Sequence, residues 1–225
     1  GGGEHMTTIT TTPVLYVVLA RDRGPSGTST TSLLIRALND DGGAVLGCYL
    51  SPFDAMMDMV RKDNPDCEYR SIRLDSLRPQ DLRAAFPAGV SLEVLCGFRA
   101  KDAQLLDSQQ SPLVSYRLQR DIRLQLNQDE LCIDFPDDVL REINHLHEGV
   151  GLFAWQETAQ RISTTWKQAQ ITHTMHSAFH KANHVRGLVP SDADQIGLFD
   201  PEAENWHFVP YIPLEILKRP PNRRR

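Results

Sequence analysis

Short apolar or alternating segments recur along the chain and are separated by turns rich in Gly, Pro, Asn or Asp. Segments of this length and pattern are typical of β-strands. A longer alternating stretch, 113–126, fits either a strand or a helix, and we favour a long strand or hairpin. Pro210 and Pro213 predict that the last strand lies at a sheet edge, because proline has no amide hydrogen to donate to a neighbour. The pattern predicts strands at 14–20, 44–50, 68–74, 90–96, 131–135, 149–154 and 206–212.

Helical signals fall between these strands. In "SPFDAMMDMVRK", Ser51 is a candidate N-cap and Pro52 stands in the first turn, where a missing amide hydrogen is harmless. "RPQDLRAAF" has Pro79 near its start, and "PDDVLREINHLHEG" places its apolar residues on one face and ends at Gly149. We also expect a short helix at 32–38, capped by the Ser and Thr residues before it. Together these elements predict an α+β fold with a mixed sheet and flanking helices.

A weak internal repeat indicates two related halves, with chance similarity as the alternative. "GCYLSPFDA" (47–55) and "GLFAWQETA" (151–159) share a glycine, an aromatic residue two positions on and a later alanine. "IRLDSL" (72–77) and "IPLEIL" (212–217) share the pattern I-x-L-x-x-L. Together the two pairs predict two pseudo-repeated strand–helix–strand lobes, one in each half of the chain. The predicted organisation is 1–13, an expression-tag remnant and flexible N-terminus; 14–110, a first α/β lobe; 111–217, a second α/β lobe with a helical insertion; and 218–225, a basic disordered tail.

Charge is distributed unevenly along the chain. The net charge is −5, but residues 218–225 carry five positive groups, so subtracting them leaves −10 on residues 1–217. Nucleic-acid binding draws its affinity from cationic contacts to phosphate, so an acidic body makes a nucleic-acid ligand a poor fit. An acidic surface suits a basic protein partner instead. No apolar run approaches the roughly 18 residues that a membrane-crossing helix needs.

Two features that resemble catalytic motifs have simpler interpretations. Four cysteines occur without a CxxC pair, which is typical of reduced core thiols in a cytoplasmic protein. A catalytic thiol at Cys48 or Cys96 is the alternative, although no paired histidine is evident. The loop "RDRGPSGTST" has glycines at 24 and 27 but no following lysine, so it lacks the pattern of a phosphate-binding loop. We interpret it as a polar turn and expect no nucleotide or other cofactor.

The second half carries four histidines at helical spacing, at positions 173, 176, 180 and 184. At about 100° per residue they share one face of a helix, while the apolar residues before residue 170 continue the same face. A second apolar seam, from Ile171 to Val185, lies roughly opposite, so either the helix breaks near 164–170 or the segment passes between two packing partners. The face could be a metal site using His176, His180 and His184, a partner interface, or plain surface.

These features favour a non-enzymatic, cytoplasmic protein-binding module. Its acidic body and its strand–turn–helix units with aromatic residues resemble, in general style, the immunity or antitoxin proteins of bacterial toxin systems. That resemblance implies a basic toxin as partner and occlusion of its active site as mechanism; no residue role is carried over from it. The alternative is a metal-dependent hydrolase that uses the stripe from His173 to His184. The predicted partner-binding residues are His173, His176, His180, His184, Trp155 and Trp206.

Overall fold

The computed structural model describes residues 13–25, 27–38, 40–60, 66–108, 113–126 and 130–211, with the backbone alone at 119–121. The predicted flexible N-terminus up to residue 12, the repeat segment at 212–217 and the basic tail at 218–225 lie outside these residues. Among the described helices, none is long and apolar enough to cross a membrane.

Within these described ranges, twelve strands form one mixed sheet with five α-helices around it, which is the α+β architecture that the sequence predicts. The strands are β1 Tyr16–Arg23, β2 Ser29–Leu33, β3 Ile35–Leu38, β4 Ala44–Tyr49, β5 Cys67–Arg73, β6 Val90–Lys101, β7 Gln104–Asp107, β8 Ser115–Leu126, β9 Leu131–Asp134, β10 His184–Arg186, β11 Gln195–Asp200 and β12 Asn205–Pro210. The helices are α1 Pro52–Asp58, α2 Pro79–Ala85, α3 Asp137–Glu148, α4 Trp155–Thr165 and α5 Gln168–Lys181.

The centre of the sheet is β6, which pairs with four other strands. It runs parallel to β4 and antiparallel to β8, and its last residues pair with β7 and β11. Strand β1 touches β4 only where Tyr16 pairs with Tyr49, and β2 and β3 extend the sheet by pairing with β1 and β4 respectively. Strands from both predicted lobes therefore lie in one sheet, while the division into pseudo-repeats stays a prediction.

A bulge in β6 exchanges the faces on which its side chains lie. Leu95 and Gly97 are opposite Arg117 and Tyr116, so β6 has one residue more than β8 at this point. Cys96 consequently packs in one core and Phe98 in the other, although regular alternation would place them on the same face. The bulge therefore changes which residues of β6 face each core: Leu92 and Val94 face the first, and Phe98 and Ala100 face the second.

Those two cores cover opposite faces of the sheet. One holds the apolar side chains of α2 and α3 against the strands, and the other holds those of α1 and α5. Helix α4 spans both, because Trp155 packs against the first core and Ile162 lies in the second. The start of α4 is therefore at a boundary between the two cores, where a cavity can form.

A buried ion-pair network, called here the Arg117 network, anchors the end of α1 to the sheet. Arg117 Nη2 donates to Asp58 Oδ2 at 2.6 Å, and the Tyr49 hydroxyl donates to the same oxygen at 2.6 Å. Arg117 Nε lies 3.9 Å from Glu93 Oε1, and Arg36 Nε lies 3.7 Å from Glu93 Oε2. Gly47 leaves room for these arginines, because a Cβ there would begin 2.9 Å from Arg36 Cγ.

Most predicted elements are confirmed. Ser51 caps α1 by accepting the Asp54 amide hydrogen at 3.0 Å, and the ambiguous stretch forms one long strand, β8. The expected helix break falls between α4 and α5, at residues 166–167. Strand β12 pairs with β11 alone among the described strands, which confirms its predicted edge position.

Two predicted elements are wrong. Residues 32–38 belong to β2 and β3 and not to a helix, because the Ser/Thr-rich segment pairs along the exposed second half of β1. β-Branched threonines fit a pleated strand better than a helix, so the pairing prevails over the capping signal. The expected strand at 149–154 is a turn that joins α3 to α4, and Gly151 adopts a positive φ of 80° in it.

Candidate functional site

A cavity of about 210 Å³ opens where the α3–α4 turn meets the start of α1 and the β11–β12 turn. We call it the acidic pocket. Its polar lining consists chiefly of one histidine and two aspartates, and its remaining walls are apolar or aromatic. It is lined by Leu50, Ser51, Asp54, His147, Gly151, Leu152, Phe153, Ala154, Trp155, Thr158, Ala159, Ile162, Phe199, Asp200 and Pro201.

Asp54 stands in the first turn of α1, behind the Ser51 cap. Burial is the main reason that the pKa of its carboxyl is raised from 3.8 to about 7; a hydrogen bond with Ser51 opposes the shift, and the nearby charge of Asp58 adds a smaller increase. The carboxyl therefore exchanges its proton near neutral pH. In its ionised form it is a partly desolvated negative charge at the wall of the pocket.

His147 lies on the buried face of α3, and only 8% of its surface is exposed. Its Nδ1 is 2.8 Å from the Ile143 carbonyl oxygen, so Nδ1 carries the hydrogen and donates it. Burial lowers the pKa of the imidazole to about 4, against a smaller opposing effect of the Ile143 hydrogen bond. The ring is neutral at pH 7, and its Nε2 accepts no hydrogen bond from any described residue.

Aromatic rings hold these groups in place. Trp155 stacks on His147 with ring centroids 4.7 Å apart and planes 22° apart, and its indole donates to Asn144 Oδ1 at 3.0 Å. On the opposite side Phe199 stacks on Phe53 at 4.7 Å. Phe153, in the turn between α3 and α4, is 73% exposed although it also lines the pocket.

The charge of the pocket is negative. Asp200 Oδ1 accepts the backbone amide hydrogens of Glu202 and Ala203 at 3.0 and 3.3 Å. No lysine or arginine occurs among the described residues that line the cavity. With a neutral imidazole and two carboxyls, the pocket offers hydrogen-bond acceptors and negative charge.

The structure separates the histidines that the sequence places together. His173, His176 and His180 are exposed on α5, outside the acidic pocket. His184 lies beyond the end of the helix, in β10, where its Nε2 bonds to the Phe179 carbonyl at 3.0 Å. The expectation that all four share one helical face is therefore wrong, because α5 ends at Lys181. Within the described ranges, no three His, Cys, Asp or Glu side chains are grouped closely enough to hold a metal ion.

The two predicted tryptophans have different surroundings. Trp155 lines the acidic pocket, as described above. Trp206 is half-buried: its indole donates to the Ala178 carbonyl at 3.0 Å, and its ring packs edge-on against Phe98 at 6.1 Å. Of the six residues that the sequence predicts for partner binding, Trp155 alone belongs to the lining of the pocket.

The thiols and the glycine loop have structural surroundings. Burial raises the pKa of the Cys48 and Cys96 thiols far above the ordinary range, which disfavours the nucleophilic thiolate. The loop after β1 is a hairpin turn, in which the Gly24 amide donates to the Thr28 carbonyl at 2.9 Å and Gly27 has a φ of 74°. This agrees with its interpretation as a polar turn.

Sequence reasoning missed Asp54, His147 and Asp200, although two of them carry a local signal. Ser51 and Asp54 have the spacing of a helix N-cap and its third residue. His147 follows Ile143 by four positions, so it shares the apolar face of α3. Neither signal shows that the two residues line one cavity. Comparison with known proteins finds no matching family model, curated protein or solved structure.

Proposed function

We propose that this chain is a non-enzymatic protein-binding module whose partner is more basic than itself. The observation that supports this most is the mouth of the acidic pocket. There a 73%-exposed phenylalanine, Phe153, adjoins a cavity whose charged lining residues are aspartates. Exposed aromatic residues beside a pocket are the usual anchors of protein interfaces, and carboxylates select a cationic partner.

The charge of the chain supports the same partner class. Residues 1–217 carry −10, a field that would raise the rate of encounter with a basic protein. A partner of this kind could be the toxin of a bacterial toxin–immunity or toxin–antitoxin pair, held inactive when this chain covers its active site. The four cysteines, all present as thiols, fit the reducing cytoplasm that we propose as its compartment.

The proposal is tested by affinity capture from a lysate of the source organism, with mass spectrometry of the bound proteins. The wild type is compared with Phe153→Ala and with Val189→Ala, which truncates another exposed apolar residue, 54% accessible and outside the pocket. A basic protein retained by the wild type and by Val189→Ala is expected to be lost from Phe153→Ala, because truncating an anchor of this kind costs about 2 kcal/mol or more.

Two outcomes contradict the proposal. One is a captured set in which the specific proteins are acidic. The other is equal capture by all three proteins, which would place the interface away from Phe153. Purified partner and chain then give the affinity directly by calorimetry, with the same two variants as probe and control.

A further inference from the structure

We infer that the acidic pocket is a receptor for a single primary ammonium group on an apolar stem, namely a lysine side chain of the basic partner. This inference rests on the proposed function, since it identifies what the partner inserts. The expected cationic side chain is lysine, and the experiment below tests arginine as the alternative.

The sign of the charge is the first reason. Asp54 and Asp200 line the same cavity, and no basic side chain among the described residues accompanies them there. Neither carboxylate forms an ion pair among the described residues. Arg117 pairs with Asp58, which lies on the same helix as Asp54. A bound cation would offset the negative charge of this lining.

The number of acceptors is the second reason. An ammonium has three hydrogens to donate, and the pocket has acceptors on two aspartates and on the Nε2 of His147, spaced too widely for one metal ion. His147 is more than nine-tenths buried, and its other ring nitrogen is already engaged by Ile143. Its Nε2 therefore faces a cavity without a partner from the described chain. A planar guanidinium has five donors and would leave some of them unsatisfied here.

The apolar walls are the third reason. Leu152, Ala159 and Ile162 form the aliphatic part of the lining, which suits the four methylene groups of lysine. The rings of Phe153 and Trp155 present aromatic surface, to which cations are attracted. The volume of about 210 Å³ lies below the roughly 300–1,000 Å³ of sites for drug-sized ligands, so one side chain is a better match than a large cofactor.

Protonation of Asp54 gives the site a pH dependence. The titratable groups around it are Asp58 on α1, the Cys96 thiol on β6, His147 on α3 and Asp200 on β11, and the side chains that α4 and α5 bury are uncharged. A pKa of about 4 keeps His147 neutral between pH 6 and 8, whereas Asp54 changes its charge there. A cation binds the ionised form, so its affinity is expected to be about tenfold weaker at pH 6 than at pH 8.

The experiment uses small probes in place of the partner. Nα-acetyl-lysine methylamide is titrated into the full chain at millimolar concentrations, and binding is followed by amide and indole NMR shifts. Nα-acetyl-norleucine methylamide is the uncharged control, and Nα-acetyl-arginine methylamide tests the competing cation. We expect saturable binding of the lysine derivative, weaker binding of the arginine derivative, and none of the norleucine derivative.

Variants locate the site. Asp54→Asn and Asp200→Asn are each expected to lower the affinity for the lysine derivative about tenfold, as for loss of a charged hydrogen bond. Asp194→Asn, an exposed aspartate outside the pocket, is the matched control and should leave binding unchanged. If either pocket variant fails to fold, the comparison of lysine with norleucine on the wild type still decides the question.

Three results overturn the inference: equal binding of norleucine and lysine derivatives, binding of arginine as tight as lysine, or no saturable lysine binding. The last result, together with a basic partner that depends on Phe153, would reject the lysine receptor and keep the proposed function. Lysine binding at the pocket without any captured basic protein would reject the proposed function and keep the lysine receptor.

Discussion

Arg117 and Asp58 form a buried ion pair across 59 positions of the chain, with Nη2 and Oδ2 2.6 Å apart and both side chains 7% exposed. The pair fixes the last residue of α1 to β8 in the sheet. Because Asp54 is on the same short helix, this pair also holds the wall of the acidic pocket in place. Stability of the pair and shape of the pocket are therefore linked.

Arg117→Met is expected to lower the free energy of unfolding by about 3–5 kcal/mol, because it leaves the buried carboxylate of Asp58 without its cation. Arg161→Met is the matched control. Arg161 pairs with Glu202 at 2.6 Å but is 53% exposed, and losing such a pair costs about 1 kcal/mol or less. Urea unfolding followed by circular dichroism measures both variants, and equal losses would contradict the importance of the buried network.

Asp54→Asn tests the raised pKa of Asp54 through stability. A carboxyl with a pKa of about 7 when folded and 3.8 when unfolded keeps an extra proton in the folded protein between those values. Its contribution to stability is present below pH 4 and is lost as pH rises to 7. The variant lacks this loss. Its free energy of unfolding, relative to that of the wild type, should therefore rise by up to about 1.4 kcal/mol per pH unit over that window. Denaturant unfolding at a series of pH values measures the gain, and a pH-independent difference would show that Asp54 titrates normally.

His147→Gln should change the pH dependence in the opposite direction. The imidazole has a pKa of about 4 when folded and 6.5 when unfolded, so its contribution to stability is lost as pH falls from 6.5 to 4. Glutamine does not titrate, and the variant should therefore lose less stability on acidification than the wild type. Thermal unfolding at pH 7, 6 and 5 detects this. His145→Gln, exposed on the same helix, is the control and should behave as the wild type does.

In the wild type these two effects oppose each other between about pH 4 and 6.5. The folded state holds one extra proton at Asp54, and the unfolded state holds one extra at His147. The residues of the pocket should thus add little to the slope of stability against pH, and each single variant should reveal one half of the balance.

Replacing both His176 and His180 with alanine tests the metal alternative. Both side chains are exposed, so the free energy of unfolding should change by about 0.5 kcal/mol or less per site. The metal content of protein purified without a histidine tag, measured by mass spectrometry, should be the same as in the wild type. Stoichiometric zinc that the double variant loses, together with a hydrolytic activity, would favour the metal-dependent hydrolase.

Association with the partner should depend on salt. The acidic body and a basic partner attract each other over distances that salt screens to about 10 Å at 0.1 M. The association rate constant, measured by stopped-flow mixing, should therefore fall by about tenfold or more between low and high ionic strength, with a smaller change in dissociation. An association rate that stays constant would show that long-range charge does not guide the encounter.

Local signals in the sequence were sufficient for several elements. The Ser51 cap, the break before α5 and the edge position of β12 each depend on residues close together in the chain. Residues 32–38 could not be assigned in this way, because their strand conformation depends on pairing with β1 and β4. A capping signal depends on residues within one segment, whereas a strand in a sheet depends on which other segments pair with it.

The candidate site was harder to predict for the same reason. Asp54, His147 and Asp200 belong to α1, α3 and β11, which are brought together only by the packing of helices on both faces of the sheet. Their unusual chemistry is also a product of burial, since exposed Asp and His would titrate at ordinary values. The histidine stripe was a regular pattern in the sequence, but its members do not line the acidic pocket.

The long-range pairing of β6 with β11 affects how the chain folds while it is being synthesised. Its final residues stay without their β11 partner until Gly197 has been synthesised, because Gly197 pairs with Phe98. During translation, the ribosome therefore releases the central strand long before its neighbour is available, and contacts of such long range form slowly. Until then the nascent chain carries an open strand edge that can pair with other polypeptides. Fragments that stop before residue 195 should accordingly aggregate on expression, and a chaperone that shields strand edges should raise the yield of the full chain.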